Sequence, residues 1–193
     1  MDASFNGTVS ADAAQGDISR VILTSLNLSP SSGTPDFTKT SVDDGTNGIY
    51  SSEDDLGTSY YFRGNVTNNY VKFANKYWRI IRINGDGTIR MIYAGTSAHA
   101  NGYNDSSAND MSIGTSAFNS SYDDNTYVGY MYGTAGASTY ANTHSNTTNS
   151  TIKTVLDSWY DINIVNTGNE KYIADAIYCN DRSVSSGTGI GTT

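Results

Sequence analysis

Charge is scarce in this chain. Only 16% of its 193 residues are Asp, Glu, Lys or Arg, and hydrophobic residues reach 37%, both below the average of globular domains. Eleven Lys and Arg stand against nineteen Asp and Glu, a formal net charge of −8. Such a surface repels phosphate, which argues against nucleic acid as a partner and against docking on anionic membranes. Cysteine occurs once, as Cys179, so no internal disulfide can form. With Arg182 its only nearby cation, Cys179 reads as a small buried apolar residue rather than a reactive thiol. Both prolines, Pro30 and Pro35, fall in one short stretch. The longest apolar runs, such as Val21-Ile22-Leu23, are far too short to cross a membrane. Neither the basic region nor the apolar stretch of a signal peptide follows Met1; an exported chain would have lost its leader, with Met1 an added start.

Ser, Thr, Asn, Gly and Tyr fill the deficit. The fifteen Tyr and two Trp supply apolar area that Leu supplies elsewhere, with a polar tip that reaches the surface. Uncharged polar residues suit loops and strand surfaces. This texture, with low Lys and Cys, is that of Gram-positive surface proteins and points to an extracellular location. Sequons such as Asn65-Val66-Thr67 arise by chance in so much Asn, Ser and Thr, and no glycosylation is read from them.

The apolar pattern divides the chain. Ile18, Val21, Ile22 and Leu26 have the spacing of a short amphipathic helix that Asp17 could cap. A linker from Ser29 to Asp36 follows, so residues 1–45 read as an N-terminal helix and linker, and 46–193 as one β-rich domain. Within it, 59–63, 70–74, 77–83 and 88–93 read as strands. Asn84-Gly85-Asp86-Gly87 between the last two is a strong hairpin signal, because these residues accept positive φ. Simple alternation places Trp78, Ile80 and Arg82 on one face and Arg79, Ile81 and Ile83 on the other, as in a central strand. Residues 95–148 are almost wholly polar, with Phe118 and the stretch Tyr127 to Tyr132 as core-forming candidates, the latter as a strand. Ile152, Val155, Leu156, Trp159 and Tyr160 then form one helical stripe, capped by Asn149 or Ser150. Tyr172, Ile173, Ala176 and Ile177 suggest a second short helix or strand. The expected class is α+β and β-rich, a central antiparallel hairpin with one or two short amphipathic helices.

Several separated motifs occur together: Tyr60-Tyr61-Phe62-Arg63-Gly64, Asn69-Tyr70-Val71-Lys72-Phe73, Tyr77 to Asn84, Gly114 to Asn119, Tyr127 to Gly133, Ser150 to Tyr160 and Tyr178-Cys179-Asn180-Asp181-Arg182-Ser183. In this order they resemble a group of uncharacterised surface proteins of gut-dwelling low-GC Gram-positive bacteria, over roughly residues 35–190. The resemblance implies a C-type-lectin-like or sulfatase-modifying-factor-like scaffold, a fold that also displays variable ligand-binding residues in bacterial and phage proteins. That family continues into a closing segment not present in this sequence, which implies a domain incomplete at its C-terminus. It brings no catalytic residues.

His99 and His144, the only histidines, lie in the polar region without a Gly-x-Ser-x-Gly elbow and read as solvent-exposed loop residues. Of the acidic clusters, Asp123, Asp124 and Asn125 are the set best able to contribute to a Ca2+ site, though without the spacing of a calcium loop; the main expectation is no cofactor. Tyr122, Tyr130, Tyr132 and Tyr140 sit among these and other amides and carboxylates. Rings that stack, beside groups that bond hydroxyls, are the chemistry of sugar recognition and of paratopes. The expected ligand-binding set is therefore Tyr122, Asp123, Asp124, Asn125, Tyr130, Tyr132 and Tyr140. The expected function is a cell-surface binding or display module for a glycan or a protein, not an enzyme. The alternatives are a stalk or spacer of a large adhesin with no ligand and, further off, a glycan-acting hydrolase.

Overall fold

A computed structural model describes residues 15–30, 48–64, 66, 68–99, 109–121, 123–176 and 183–191. The chain divides into two compact units, Met1–Ser112 and Ile113–Thr193; the boundary expected near residue 45 lies outside the described residues. The class is α+β, with an antiparallel sheet and a few short helices. Among the described residues no helix is long and apolar enough to cross a membrane. Cys179 and Ile177 lie outside the described residues.

The first unit is a helix, α1 (Gln15–Ser25), and a sheet of β1 (Gly48–Asp54), β2 (Gly57–Arg63), β3 (Tyr70–Phe73), β4 (Lys76–Ile83) and β5 (Ile89–Gly95). Asp17 falls inside α1 rather than capping it. The helix buries Ile22 and Leu23 in one core with Ile49, Ile80 and Ile83, flanked by Leu26, Leu28, Tyr60, Phe62, Val71 and Ile89. Each buried isoleucine contributes about 1.5–3 kcal/mol through removal of apolar area from water.

β4 is the central strand. β5 lies along one edge, while β2 and β3 share the other end to end. β2 meets β4 at only two positions, Tyr60↔Ile83 and Tyr61↔Arg82, and continues along β1; β3 takes over from Tyr70↔Arg79. Asn69 bridges the gap. Its carbonyl accepts from the Ile80 N–H at 2.9 Å and its side-chain amide donates to the Ile80 carbonyl at 2.8 Å. Its Oδ1 accepts from Arg79 Nε at 3.1 Å, and the same guanidinium donates to the Val66 carbonyl. One buried residue, through its main-chain carbonyl and its side-chain amide, thus supplies the ladder that neither strand supplies.

Alternation fails within β4. Ile80 and Ile83 were expected on opposite faces, yet both are buried in the core while Ile81 is 41% exposed. The ladder shifts register between Ile80 and Arg82, opposite Met91 and Arg90. A bulged residue adds one to the count and inverts the parity beyond it. The hairpin loop itself is as expected: Gly87 N–H donates to the Asn84 carbonyl, Asn84 N–H to the Thr88 carbonyl, and Asp86 Oδ1 accepts from the Thr88 N–H and hydroxyl. β3 turns into β4 through Ala74 and Asn75, both at positive φ, the geometry of the tightest hairpins.

β1 is a strand that pattern reading passed over, since Ser51-Ser52-Glu53-Asp54 looks like loop. Its turn docks on the β4–β5 loop. Asp54 bonds Arg82 at 2.7 Å and accepts from Gly85 N–H at 3.1 Å, and Arg82 also donates to Ser59 Oγ at 3.1 Å. The Gly85 and Leu56 N–H groups, with the Arg82 guanidinium, hold the Asp54 carboxyl below its ordinary value against the opposing effect of burial.

The second unit contains β6 (Met131–Tyr132), α2 (Tyr140–Thr143), β7 (Thr148–Asn149) and α3 (Thr151–Tyr160), with a 3-10 turn at Asn125–Tyr127. The strand expected over Tyr127 to Tyr132 shrinks to β6 because Asp124 caps the 3-10 turn. Ser150 caps α3, its Oγ accepting from Lys153 N–H at 3.1 Å. The α3 stripe is half-buried to exposed and never fully enclosed. The helix runs on as a π turn, Asp161–Val165, whose Ile164 is buried. Tyr172 and Ile173 are exposed around a 3-10 turn, Glu170–Tyr172, so no second core helix or strand forms there.

Candidate functional site

The α3 N-terminus organises the surface of the second unit. Its first N–H groups have local acceptors: Thr151 N–H bonds Asn119 Oδ1 at 3.2 Å, Ile152 N–H the Phe118 carbonyl at 3.1 Å, and Lys153 and Thr154 the Ser150 oxygens. Asn119 also donates from its amide nitrogen to the Tyr127 carbonyl, and Ser150 N–H donates to the Tyr130 carbonyl at 2.8 Å. Residues 118–119, 127–130 and 150–152 are thereby fixed to one another by main-chain groups and by the Asn119 side chain.

On this frame Phe118 and Tyr130 lie ring to ring, centroids 6.0 Å apart and tilted by 47°. They remain 49% and 45% exposed, and Val128 close by in sequence is exposed as well. Phe118, read from sequence as core, is a surface residue. Burying a large ring elsewhere would be favourable; here a rigid support holds two of them half in water.

The expected site residues separate. Tyr122 lies outside the described residues. Asp123 is exposed at φ 62°. Asp124 Oδ1 accepts from Thr126 N–H at 3.0 Å and caps the 3-10 turn that contains Asn125. Tyr132 is half-buried and edge-on to Tyr127 at 5.0 Å. Tyr140 packs on the His144 ring at 4.4 Å. Only Tyr130 joins the exposed aromatic pair. Asp123, Asp124 and Asn125 alone fall short of the six to eight oxygens that Ca2+ takes, and one Asp124 oxygen serves the cap. Among the described residues no group of three or more His, Cys, Asp or Glu is arranged to hold a metal ion.

Both histidines are buried, about 7% exposed, where sequence suggested solvent-exposed loops. His99 Nε2 lies 2.7 Å from Asp110 Oδ1. Asp110 Oδ2 accepts from the Thr96 hydroxyl at 2.8 Å and N–H at 2.7 Å, and from the Ser97 N–H at 3.0 Å and hydroxyl at 3.1 Å. The Thr96 hydroxyl, with the other donors, drives the Asp110 carboxyl well below the usual carboxylate range. The hydroxyls donate their protons to the carboxylate. The order is hydroxyl–carboxylate–imidazole, whereas a nucleophile needs its hydroxyl on the imidazole. The cluster ties residues 96–99 to the 3-10 turn Asn109–Met111. Polar texture hid this: a buried His–Asp pair leaves no mark in a Ser- and Asn-rich stretch.

Comparison with family models, with curated proteins and with solved structures returns no match for this chain.

Proposed function

We propose that this chain is a binding or display module of a bacterial cell-surface protein, recognising a glycan or a protein without catalysis. The observation that carries the reading is the half-exposed Phe118–Tyr130 pair on its hydrogen-bonded frame. Paired rings offer a face for the apolar side of a sugar or for an aromatic or aliphatic anchor, with the exposed Ser120 adjacent in sequence. Low charge and abundant Tyr, Asn and Ser support the extracellular location. The C-type-lectin-like scaffold implied by the family resemblance belongs to the same proposal.

The test is binding to a glycan array and to a panel of host and bacterial surface proteins, for the wild type and for Phe118→Ala with Tyr130→Ala. Ring removal is expected to weaken binding by about tenfold or more, with only a modest fall in melting temperature because about half of each ring is already in water. Binding that survives the double substitution would move the site elsewhere. Absence of binding by a folded wild type would favour the stalk reading.

A further inference from the structure

A second feature of the Ile113–Thr193 unit involves other residues. The Gly-rich segment Gly187-Thr188-Gly189-Ile190-Gly191 is received by side chains from two separate turns. His144 Nε2 donates to the Gly189 carbonyl at 2.9 Å, and the Thr126 hydroxyl donates to the Ile190 carbonyl at 2.9 Å. Thr126 is fully buried and His144 nearly so. Two consecutive carbonyls are thus read by two enclosed donors.

The flanking glycines have no room for a side chain. A Cβ on Gly189 would stand 2.7 Å from the Tyr140 ring and 2.8 Å from the Val184 methyl; a Cβ on Gly191 would fall on the Thr126 hydroxyl and the Asp124 carboxylate. Both glycines have positive φ, 70° and 84°. Residues 183–188 leading into the cradle are exposed. The segment is therefore held by carbonyl recognition and steric exclusion of Cβ, the way a receptor holds a peptide.

We propose that Asp124, Thr126, Tyr140 and His144 line a binding site for a Gly-x-Gly peptide with both glycines at positive φ, whose resident occupant is this chain's own Gly189-Ile190-Gly191. The same segment of a second copy fits the same cradle, so the site can join chains by exchange. In one chain the tethered segment competes at an effective concentration on the order of millimolar, which keeps the site closed to dilute peptide. The proposal is independent of the Phe118–Tyr130 pair.

The test uses a fluorescent peptide with the sequence of residues 184–193. In full-length chain carrying Gly189→Ala and Gly191→Ala the resident segment no longer fits. This variant is expected to bind the peptide at least about tenfold more tightly than the wild type does. A peptide bearing the same two alanines should not bind. Equal or absent binding of the wild-type peptide by the folded variant overturns the proposal. Should the variant fail to fold, amide exchange of the wild type decides. Millimolar unlabelled peptide is expected to speed exchange in 183–191 and leave β4 and β5 unchanged. No change there would mean the segment is a fixed part of the fold and would equally overturn the proposal.

Discussion

Gly85 and Gly168 both disfavour a side chain, for opposite reasons. A Cβ on Gly85 would stand 2.6 Å and 2.7 Å from the Gly57 backbone nitrogen and oxygen, and backbone cannot rotate away. Gly168 has open space but φ of 74°. We expect Gly85→Ala to cost about 2–3 kcal/mol through crowding and Gly168→Ala about 1 kcal/mol through backbone strain, both measured by urea unfolding. Equal costs would mean the β1–β2 turn gives way to the methyl. Asp110 sets a pH dependence. Its folded carboxyl binds protons more weakly than the unfolded one, so its contribution is complete above about pH 4 and is lost as the pH falls below that range. Asp110→Asn should flatten the fall in melting temperature between neutral and acid pH. A wild-type-like acid slope in that variant would contradict the clamp. At this scale the sequence was least legible. The burial of His99 and His144 depends on Asp110 and Gly189, partners 11 and 45 residues away, and no local pattern encodes such pairings.

The elements were legible where period and turn chemistry agree. β2 to β5 and α3 follow from aromatic and β-branched runs, an Asn-Gly loop and a Ser cap. β1 was hidden because its outward residues are Ser, Glu and Asp. The parity of β4 was hidden because a bulge is a property of two paired strands, not of one. Asn69 looks like a strand breaker in sequence and is in fact a ladder component. Asn69→Ala would leave the Ile80 carbonyl and Arg79 Nε without this partner in a buried place. The expected loss is about 2–4 kcal/mol in chemical denaturation, larger than for the exposed Asn68→Ala. A loss below that of Asn68→Ala would show that water replaces the side chain. Ser150→Ala should cost about 1 kcal/mol through loss of the α3 cap, read in the same assay.

For the whole molecule, the apolar pattern pointed to an α+β protein with an antiparallel sheet, while the polar stretch after Gly95 carries no signal of the division at Ser112. By themselves Asp123, Asp124 and Asn125 supply fewer oxygens than Ca2+ takes, and melting in millimolar Ca2+ against a chelator tests whether other groups complete a site. A stabilisation of several degrees by Ca2+ would bring the acidic turn back as a metal site.

Sharing one flank of β4 between two strands makes the sheet unevenly stitched. The β3–β4–β5 meander closes on neighbours in sequence, but β1 and β2 join it through only two rungs, riveted by Asp54, Arg82 and Gly85. That narrow seam is where the sheet would come apart first. The Tyr60 and Tyr61 region would trade its protons with solvent before the β4–β5 ladder does, and Arg82→Ala would widen the lead.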